Sequence, residues 1–187
     1  MKKLILPLAA LALLNLAACS LPHPKVPELA PEDKTEAAEN GEKPLAIATE
    51  DSVMKRRNEK GEILLVARSK SSTTSLDLNI PGRGDSHLDG VEGELYRKGV
   101  VISRFTAPKG RFIEADKILW LEGGVTVISE EKQITLTAQQ IKWRESSGLI
   151  TAVGSVWLKG ETFDSGPAPK LVTTPDLERF GTPDRFD

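Results

Sequence analysis

The chain has 187 residues, which is the size of one ordinary domain. It carries 25 basic and 27 acidic side chains and a formal net charge of −2. The sequence lacks the extensive basic patches of a nucleic-acid-binding protein, since its one basic cluster is the short segment Lys55-Arg56-Arg57. The single cysteine excludes an intrachain disulfide and is too little for a zinc site.

Residues 1–18 have the pattern of an export signal. Two lysines precede an apolar run, 4–18, that contains no charge. This run is shorter than the about 20 apolar residues that a membrane span needs. The run ends in Leu-Ala-Ala-Cys, which looks like a bacterial lipobox, so we predict that Cys19 is diacylated and becomes the new N-terminus. An ordinary signal peptide, or a short uncleaved anchor with an incidental cysteine, is the alternative.

Residues 19–50 have the composition of a disordered linker. Large apolar side chains are scarce, so the segment cannot bury enough surface to offset the entropy of ordering it. Glu, Lys and Ala alternate there with five prolines: Pro22, Pro24, Pro27, Pro31 and Pro44. A flexible chain of this length spans about 30 Å. We therefore predict a tether between a lipid anchor and a folded domain.

From residue 51 the sequence changes to short alternating runs of Val, Ile, Leu and Thr, broken by glycines and charged turns. This pattern is typical of β structure, and no stretch sustains a helical period. The sequence therefore predicts an all-β domain over residues 51–166, followed by a C-terminal tail over 167–187.

The β domain contains an internal repeat. The segment LTAQQIKW, 136–143, matches IEADKILW, 113–120, at a shift of 23 residues, but that alignment soon fails. A shift of 31 residues instead lays 105–127 over 136–158 without a gap. Repeats of this length indicate stacked β units, each unable to bury its apolar face alone.

The alternation of apolar residues supports the longer shift. In both copies the phase switches at the same place, between Ala107 and Phe112 and between Ala138 and Ile141. Such a switch implies a bulge or corner, because a one-residue slip turns every side chain over. The predicted interior face comprises Phe105, Ala107, Phe112, Leu119, Leu121, Val125, Val127, Ile134, Leu136, Ala138, Ile141, Trp143, Ile150, Ala152, Val156 and Leu158. Trp120 and Trp157 have the opposite parity and are predicted on the outer surface or rim.

Several segments together resemble the LptC family, the periplasmic β-domain component of bacterial lipopolysaccharide export, and the related LptA/OstA-type domains. They are NEKGEILLVA (58–67), GVEGELYRKGVVISRFTAPKG (90–110), LEGGVTV (121–127) and AVGSVWL (152–158). Their order and spacing carry the resemblance, which covers about residues 51–160.

This resemblance implies a twisted β-jellyroll, a folded-over antiparallel sheet or "β-taco". Its interior is expected to shelter lipopolysaccharide acyl chains, with the sugars outside. It also implies stacking with other β-jellyroll subunits into a bridge that starts at an inner-membrane transporter. Family members usually keep an N-terminal transmembrane helix, which the Cys19 lipobox replaces here. Ser20 stands where an Asp would favour inner-membrane retention. We therefore expect a lipid anchor on the periplasmic side of a bacterial membrane, and leave open whether it is the inner or the outer one.

Two functions fit these observations. The first is a non-enzymatic transport module for lipopolysaccharide or a related glycolipid, in which the sixteen interior residues line a lipid groove. The unpaired ends of a stack of β units could then pair with a similar domain. The second is a structural envelope lipoprotein whose closed β core acts as a scaffold.

Catalysis and cofactor binding find no support in the sequence. His23 lies in the linker and His87 in a loop, and no spacing indicates an acid–base pair, a metal site or a cofactor. The Arg-Gly-Asp string in 82–86 is expected by chance in a glycine-rich turn. The tail repeats TPDLERF (174–180) and TPDRF (182–186), and each Thr-Pro-Asp could start a helical turn. A frayed end is the favoured interpretation of this tail.

Overall fold

The computed structural model describes residues 45–77, 80 and 84–186. In this part of the chain, nine antiparallel β-strands form a single sheet and are hydrogen-bonded in the order in which they follow along the chain. The strands are β1 (Leu45–Arg57), β2 (Ile63–Leu76), β3 (Gly84–Arg97), β4 (Val100–Ile113), β5 (Ile118–Ser129), β6 (Ile134–Arg144), β7 (Leu149–Lys159), β8 (Asp164–Thr173) and β9 (Phe180–Gly181), with a 3₁₀ helix at Pro183–Arg185. Within these ranges, no helix is long and apolar enough to cross a membrane.

A tight hairpin turn connects β3 to β4, and both of its central residues have a positive φ. Lys98 and Gly99, between β3 and β4, have φ values of 52° and 79°. A two-residue loop with positive φ at both positions matches the right-handed twist of the flanking strands. A side chain at Gly99 would meet nothing within 4 Å, so this turn is set by backbone conformation rather than by packing.

A line of irregularities crosses the sheet and divides it into two halves. The pairing register shifts between Thr106 and Lys109 in β4, and the same shift recurs in β5 to β7. At this corner Gly123, Gly124 and Gly154 have φ values of 88°, 95° and 80°. Glycine supplies this conformation without steric cost. We call the strand segments 109–113, 118–122, 140–144, 149–153 and 170–173 half A, and the segments on the other side of the corner half B.

The two halves fold over each other at this corner. Arg56 lies in the half-B end of β1, whereas Glu114 follows the half-A end of β4. In a flat sheet, the ends of a 14-residue strand would lie about 45 Å apart. Instead, Nη1 of Arg56 lies 2.8 Å from Oε1 of Glu114. The sequence-based prediction of an all-β, folded-over antiparallel sheet is thereby confirmed.

The ordered fold extends beyond both ends of the predicted domain. β1 begins at Leu45, inside the segment assigned to the linker, because 45–50 pair with the half-A end of β2. β8 continues to Thr173, and Leu177 beyond it is fully buried. Composition missed both additions because a partner strand, rather than a local apolar pattern, orders them. Residues 1–44, including Cys19 and most of the predicted linker, lie outside the described ranges.

Candidate functional site

The interior of the folded sheet is one apolar cluster. The structure places fifteen of the sixteen predicted interior residues in this cluster, each at most 6% exposed, and Ile134 packs against it partly buried. The 31-residue register therefore brings both repeat copies onto one face.

Neighbouring strands of the two repeat copies place interior side chains directly opposite each other. On β5 and β6, Leu119 lies opposite Trp143 in half A, and Val127 lies opposite Leu136 in half B. The phase switch falls between these pairs, at the register shift between Glu122 and Val125. Side chains on both sides of the corner thus point into the same interior, as the period-two pattern requires.

The cluster also includes residues from β2 and β3 that the interior list had omitted. They are Leu65, Ala67, Leu88, Val91 and Leu95. Apolar and polar side chains alternate in β2 and β3 too, but these strands match the 31-residue repeat too weakly to align with its two clear copies. The interior therefore extends across most of the sheet, from β2 to β8.

Gly93 makes room for an aromatic ring of this cluster. A Cβ atom at Gly93 would lie 2.4 Å from the Phe105 ring and 2.4 Å from the backbone oxygen of Val66. Phe105 lies directly opposite Gly93 on β4 and is 3% exposed. A side chain at position 93 would therefore clash with the Phe105 ring and with the backbone of β2.

A charged contact joins half A and half B where β1 meets the ends of β4 and β6. The Arg56 guanidinium forms ion pairs with Glu114 at 2.8 Å and with Glu145 at 3.3 Å, and lies 5.2 Å from the centre of the Phe112 ring. Glu145 also approaches Lys117 at 3.7 Å. The Arg56 and Glu145 side chains are only 18% and 11% exposed, so solvent screens this pair less than a surface pair. We call these contacts the Arg56 latch.

On the β8 side, the loop 174–179 closes the interior. Leu177, with a positive φ of 61°, is 0% exposed within the apolar cluster. The Arg97 guanidinium, at the half-B end of β3, donates a 2.6 Å hydrogen bond to Asp176. The segment expected to be frayed is therefore ordered by contacts with both halves.

The Asp176 carboxylate holds this loop in place. Burial would raise its pKa, but hydrogen bonds from the Thr174 hydroxyl, the Arg97 guanidinium and the Glu178 amide outweigh that effect, so its pKa is lowered below the usual value. Each of these groups stabilises the ionised form. Asp176 therefore stabilises the closed loop as an anion.

The two edges of the sheet differ in their capacity to pair with another strand. β1 is an edge strand of 13 residues whose first half is exposed, with Leu45 at 47% and Ile47 at 43%. At the other edge, β9 pairs only with Val172 and Thr173, and the uncovered part of β8 contains Pro167 and Pro169, which have no N–H donor. Prolines at an edge oppose further strand addition. The β1 edge is therefore the better template for a partner strand.

The outer face carries aromatic rings covered by lysine side chains. The Lys142 ammonium lies 5.0 Å from the Trp120 ring centre, and that of Lys159 lies 5.7 Å from the Trp157 ring centre. Both tryptophans are half-buried, outside the interior cluster. This agrees with the parity that assigned them to the outer surface or rim.

A cavity of about 360 Å³ lies on this outer face, beside Trp120. Its floor includes Leu88, Gly110 and Leu121. Along its rim Asp89 lies opposite Lys109, which in turn lies opposite Glu122. Because these opposite charges alternate, the rim favours neither anions nor cations.

The described residues contain no arrangement that would support metal-dependent chemistry. No group of three or more His, Cys, Asp or Glu side chains in this part of the chain could hold a metal ion. His87 is exposed on the outer face of β3. The interior therefore provides apolar contacts, whereas the Arg56 latch and the Arg97–Asp176 pair place charges at its borders.

Among known proteins, the chain is similar to solved structures. No protein-family model and no curated protein matches the chain. Among solved structures, one match is described as the crystal structure of LptH, "the LptA homologous periplasmic component of the conserved lipopolysaccharide transport device from Pseudomonas aeruginosa". The identity is 13%, the match covers 67% of this chain and 91% of that one, and the TM-score is 0.42. A similarity of this degree carries no argument about function.

Proposed function

We propose that this chain is a non-enzymatic periplasmic transport module for lipopolysaccharide or a related glycolipid. The main observation that supports this proposal is the single sheet folded over one continuous apolar interior. The resemblance of residues 51–160 to the LptC and LptA/OstA-type domains supports the same function. In this proposal the sixteen residues named above line the lipid groove, and Cys19 carries a lipid anchor on the periplasmic side of the inner or the outer membrane.

Acyl chains enter the interior when the two halves separate. Sheltering an acyl chain from water is worth about 0.8 kcal/mol per methylene, so a chain of about twelve carbons corresponds to roughly 10 kcal/mol. Opening the Arg56 latch returns both ionic partners to water, so it costs less than the roughly 3 to 5 kcal/mol of removing one partner from a buried pair, and the acyl chain outweighs this cost. A bound glycolipid can therefore keep the Arg56 latch open, while the empty domain closes on itself.

The β1 edge is the proposed docking strand for another β-jellyroll subunit of the bridge. Its exposed first half offers backbone groups and two apolar side chains, Leu45 and Ile47, to an added strand. Strand addition provides main-chain hydrogen bonds together with contacts for alternate side chains. A photo-crosslinking residue at position 47 should join the chain to a strand of a similar domain. The same residue at position 165, exposed on β8 beside the two prolines of the other edge, is the matched control and should not.

A structural scaffold is the second candidate, favoured by the tight burial of the interior. Leu136 and Ile141 are at most 1% exposed, as in a permanently closed core. The scaffold function would need no ligand, and partners would contact only the outer face and the edges.

Photo-crosslinking in cells separates the two functions. A benzoyl-phenylalanine at position 143, where Trp143 already places an aromatic ring inside, should form adducts with glycolipid. The same residue at position 106, exposed on the outer face of β4, is the control. Glycolipid adducts at 143 but not at 106, identified by mass spectrometry, support transport. Adducts with protein alone at position 143 would refute the transport proposal and favour the scaffold.

A further inference from the structure

A second cavity on the outer face of half A has a lining unlike the first. It measures about 220 Å³ and is surrounded by Lys142, Arg144 and Lys170, with Ser147 and Thr151 between them. No carboxylate is among the described residues that line it. We infer that this cavity binds a phosphate group. This cavity lies on the outer face, and phosphate binding there does not depend on lipid binding in the interior.

The strand register explains why the three cations meet. Lys142 and Arg144 are two residues apart on β6, so they share the outer face. Thr151 on β7 lies opposite Lys142, and Val172 on β8 lies opposite Thr151. Lys170 is two residues from Val172 on that strand and therefore shares the face too. The cations thus surround Thr151 on a rigid sheet rather than on flexible loops.

Acidic side chains of the described residues do not neutralise two of the three cations. Arg144 and Lys170 are exposed, and neither forms an ion pair with another described residue. Glu145, the neighbour of Arg144, is engaged by Arg56 and Lys117. Asp184 remains an anion, since a hydrogen bond from the Thr182 hydroxyl lowers its pKa, but it is not among the residues that line the cavity. The exposed cations Arg144 and Lys170 therefore leave the lining with an excess of positive charge.

The hydroxyl groups complete a set of hydrogen-bond donors. The Ser147 oxygen accepts the Leu149 N–H at 3.3 Å, which leaves the Ser147 O–H available to donate. A phosphate dianion is acceptor-only at most of its oxygens, so a lining of ammonium, guanidinium and hydroxyl donors complements it. The cavity is smaller than the about 300 Å³ at which sites for drug-sized ligands begin. It therefore fits one ionic group rather than a whole glycan.

The second Thr-Pro-Asp segment of the tail builds the apolar wall of this cavity. β9 pairs Gly181 with Val172, which brings the following 3₁₀ helix onto the outer face. Pro183 and Phe186 then line the cavity, and Val172 below them is 7% exposed. The Arg179 guanidinium lies 5.7 Å from the Phe186 ring centre and adds a fourth cation nearby. Excluding water beside the cations strengthens their attraction for an anion.

The test uses the full chain in maltoside micelles, which contain no phosphate, and inorganic phosphate as the probe. Phosphate is titrated at constant ionic strength, with chloride as the replacement, while amide resonances of Ser147, Thr151 and Lys170 are followed by NMR. We expect saturable shifts at these amides. The double variant Arg144→Gln/Lys170→Gln should weaken binding by about tenfold or more, since hydrogen bonds to charged groups are the stronger ones.

The matched control is Lys55→Gln/Arg68→Gln, which removes two exposed cations from β1 and β2, away from the cavity. It should leave phosphate affinity unchanged within about twofold, as screening predicts for distant surface charges. An equal loss in both double variants would show nonspecific charge attraction and overturn the inference. The absence of saturable shifts in the unaltered protein would overturn it too.

A second arm identifies the source of the phosphate. Lipopolysaccharide and the same lipopolysaccharide after enzymatic dephosphorylation are added in place of inorganic phosphate. Shifts at Ser147 and Thr151 with the phosphorylated form alone assign the cavity to a glycolipid headgroup. Shifts with inorganic phosphate but with neither glycolipid assign it to a small soluble phosphate. Either result supports the site, and neither depends on adducts in the interior.

Discussion

Leu136 offers the sharpest test of how the interior is packed. It is 0% exposed, in the interior cluster, between Val127 on β5 and Leu158 on β7. Truncating a leucine in such a position costs about 2 to 5 kcal/mol, because the cavity that remains collapses only partly. Leu136→Ala should therefore lower the melting temperature by on the order of 10 °C. Thr135→Ala, one residue away on the outer face, should change the free energy of unfolding by no more than about 0.5 kcal/mol.

Leu136→Asp extends the test to the question of water access. A carboxyl group placed in an apolar environment costs several kcal/mol more. The total approaches the about 5 to 15 kcal/mol that stabilises a typical domain, so the variant should unfold. Circular dichroism melting curves and glycolipid binding are measured on the same samples, with Thr135→Asp as the control. If Leu136→Asp stays folded while losing glycolipid binding, water reaches this position and the packed interior is refuted. Equal damage from Leu136→Asp and Thr135→Asp would refute the repeat register instead.

Three further variants probe other parts of the chain. Gly93→Ala places a methyl group against the backbone oxygen of Val66 and should lower the free energy of unfolding, measured by chemical denaturation, by several kcal/mol. The control Gly99→Ala places its methyl group in open space and should cost only about 1 to 2 kcal/mol of backbone strain. Similar costs for both variants would contradict the close approach of the Phe105 ring and Val66 to Gly93. Asp176→Asn should lower stability at neutral pH. Because the folded-state pKa lies below the ordinary 3.8, the difference from the unaltered protein should decrease as the pH falls below 3.8 and through that lowered value. A difference that does not change with pH below 3.8 would contradict an ionised Asp176. Cys19→Ser should abolish lipid modification, and a free thiol at Cys19 in the mass spectrum of the mature protein would show that the lipid-anchor prediction is wrong.

The all-β class and the interior of the repeat could be read from the sequence because they depend on local alternation. In a strand, residues two apart share a face, so the alternation of Leu119 with Leu121 and of Leu136 with Ala138 predicts which side is buried. The switch of phase in both copies likewise predicts a corner, since no straight strand changes parity. These properties belong to each strand separately and need no knowledge of its partners.

The closure of the sheet was decided only by the tertiary structure. Arg56 and Glu145 are 89 positions apart, and Arg97 and Asp176 are 79 apart, so no local pattern connects either pair. Leu177 follows a Thr-Pro-Asp turn that looks like a frayed tail until the folded halves provide a surface for it. β1 begins at Leu45 for a similar reason, because β2 supplies the hydrogen bonds that order it. Alternation of side chains specifies which face is apolar, whereas the contacts that close one face upon itself form only after the corner has brought distant residues together.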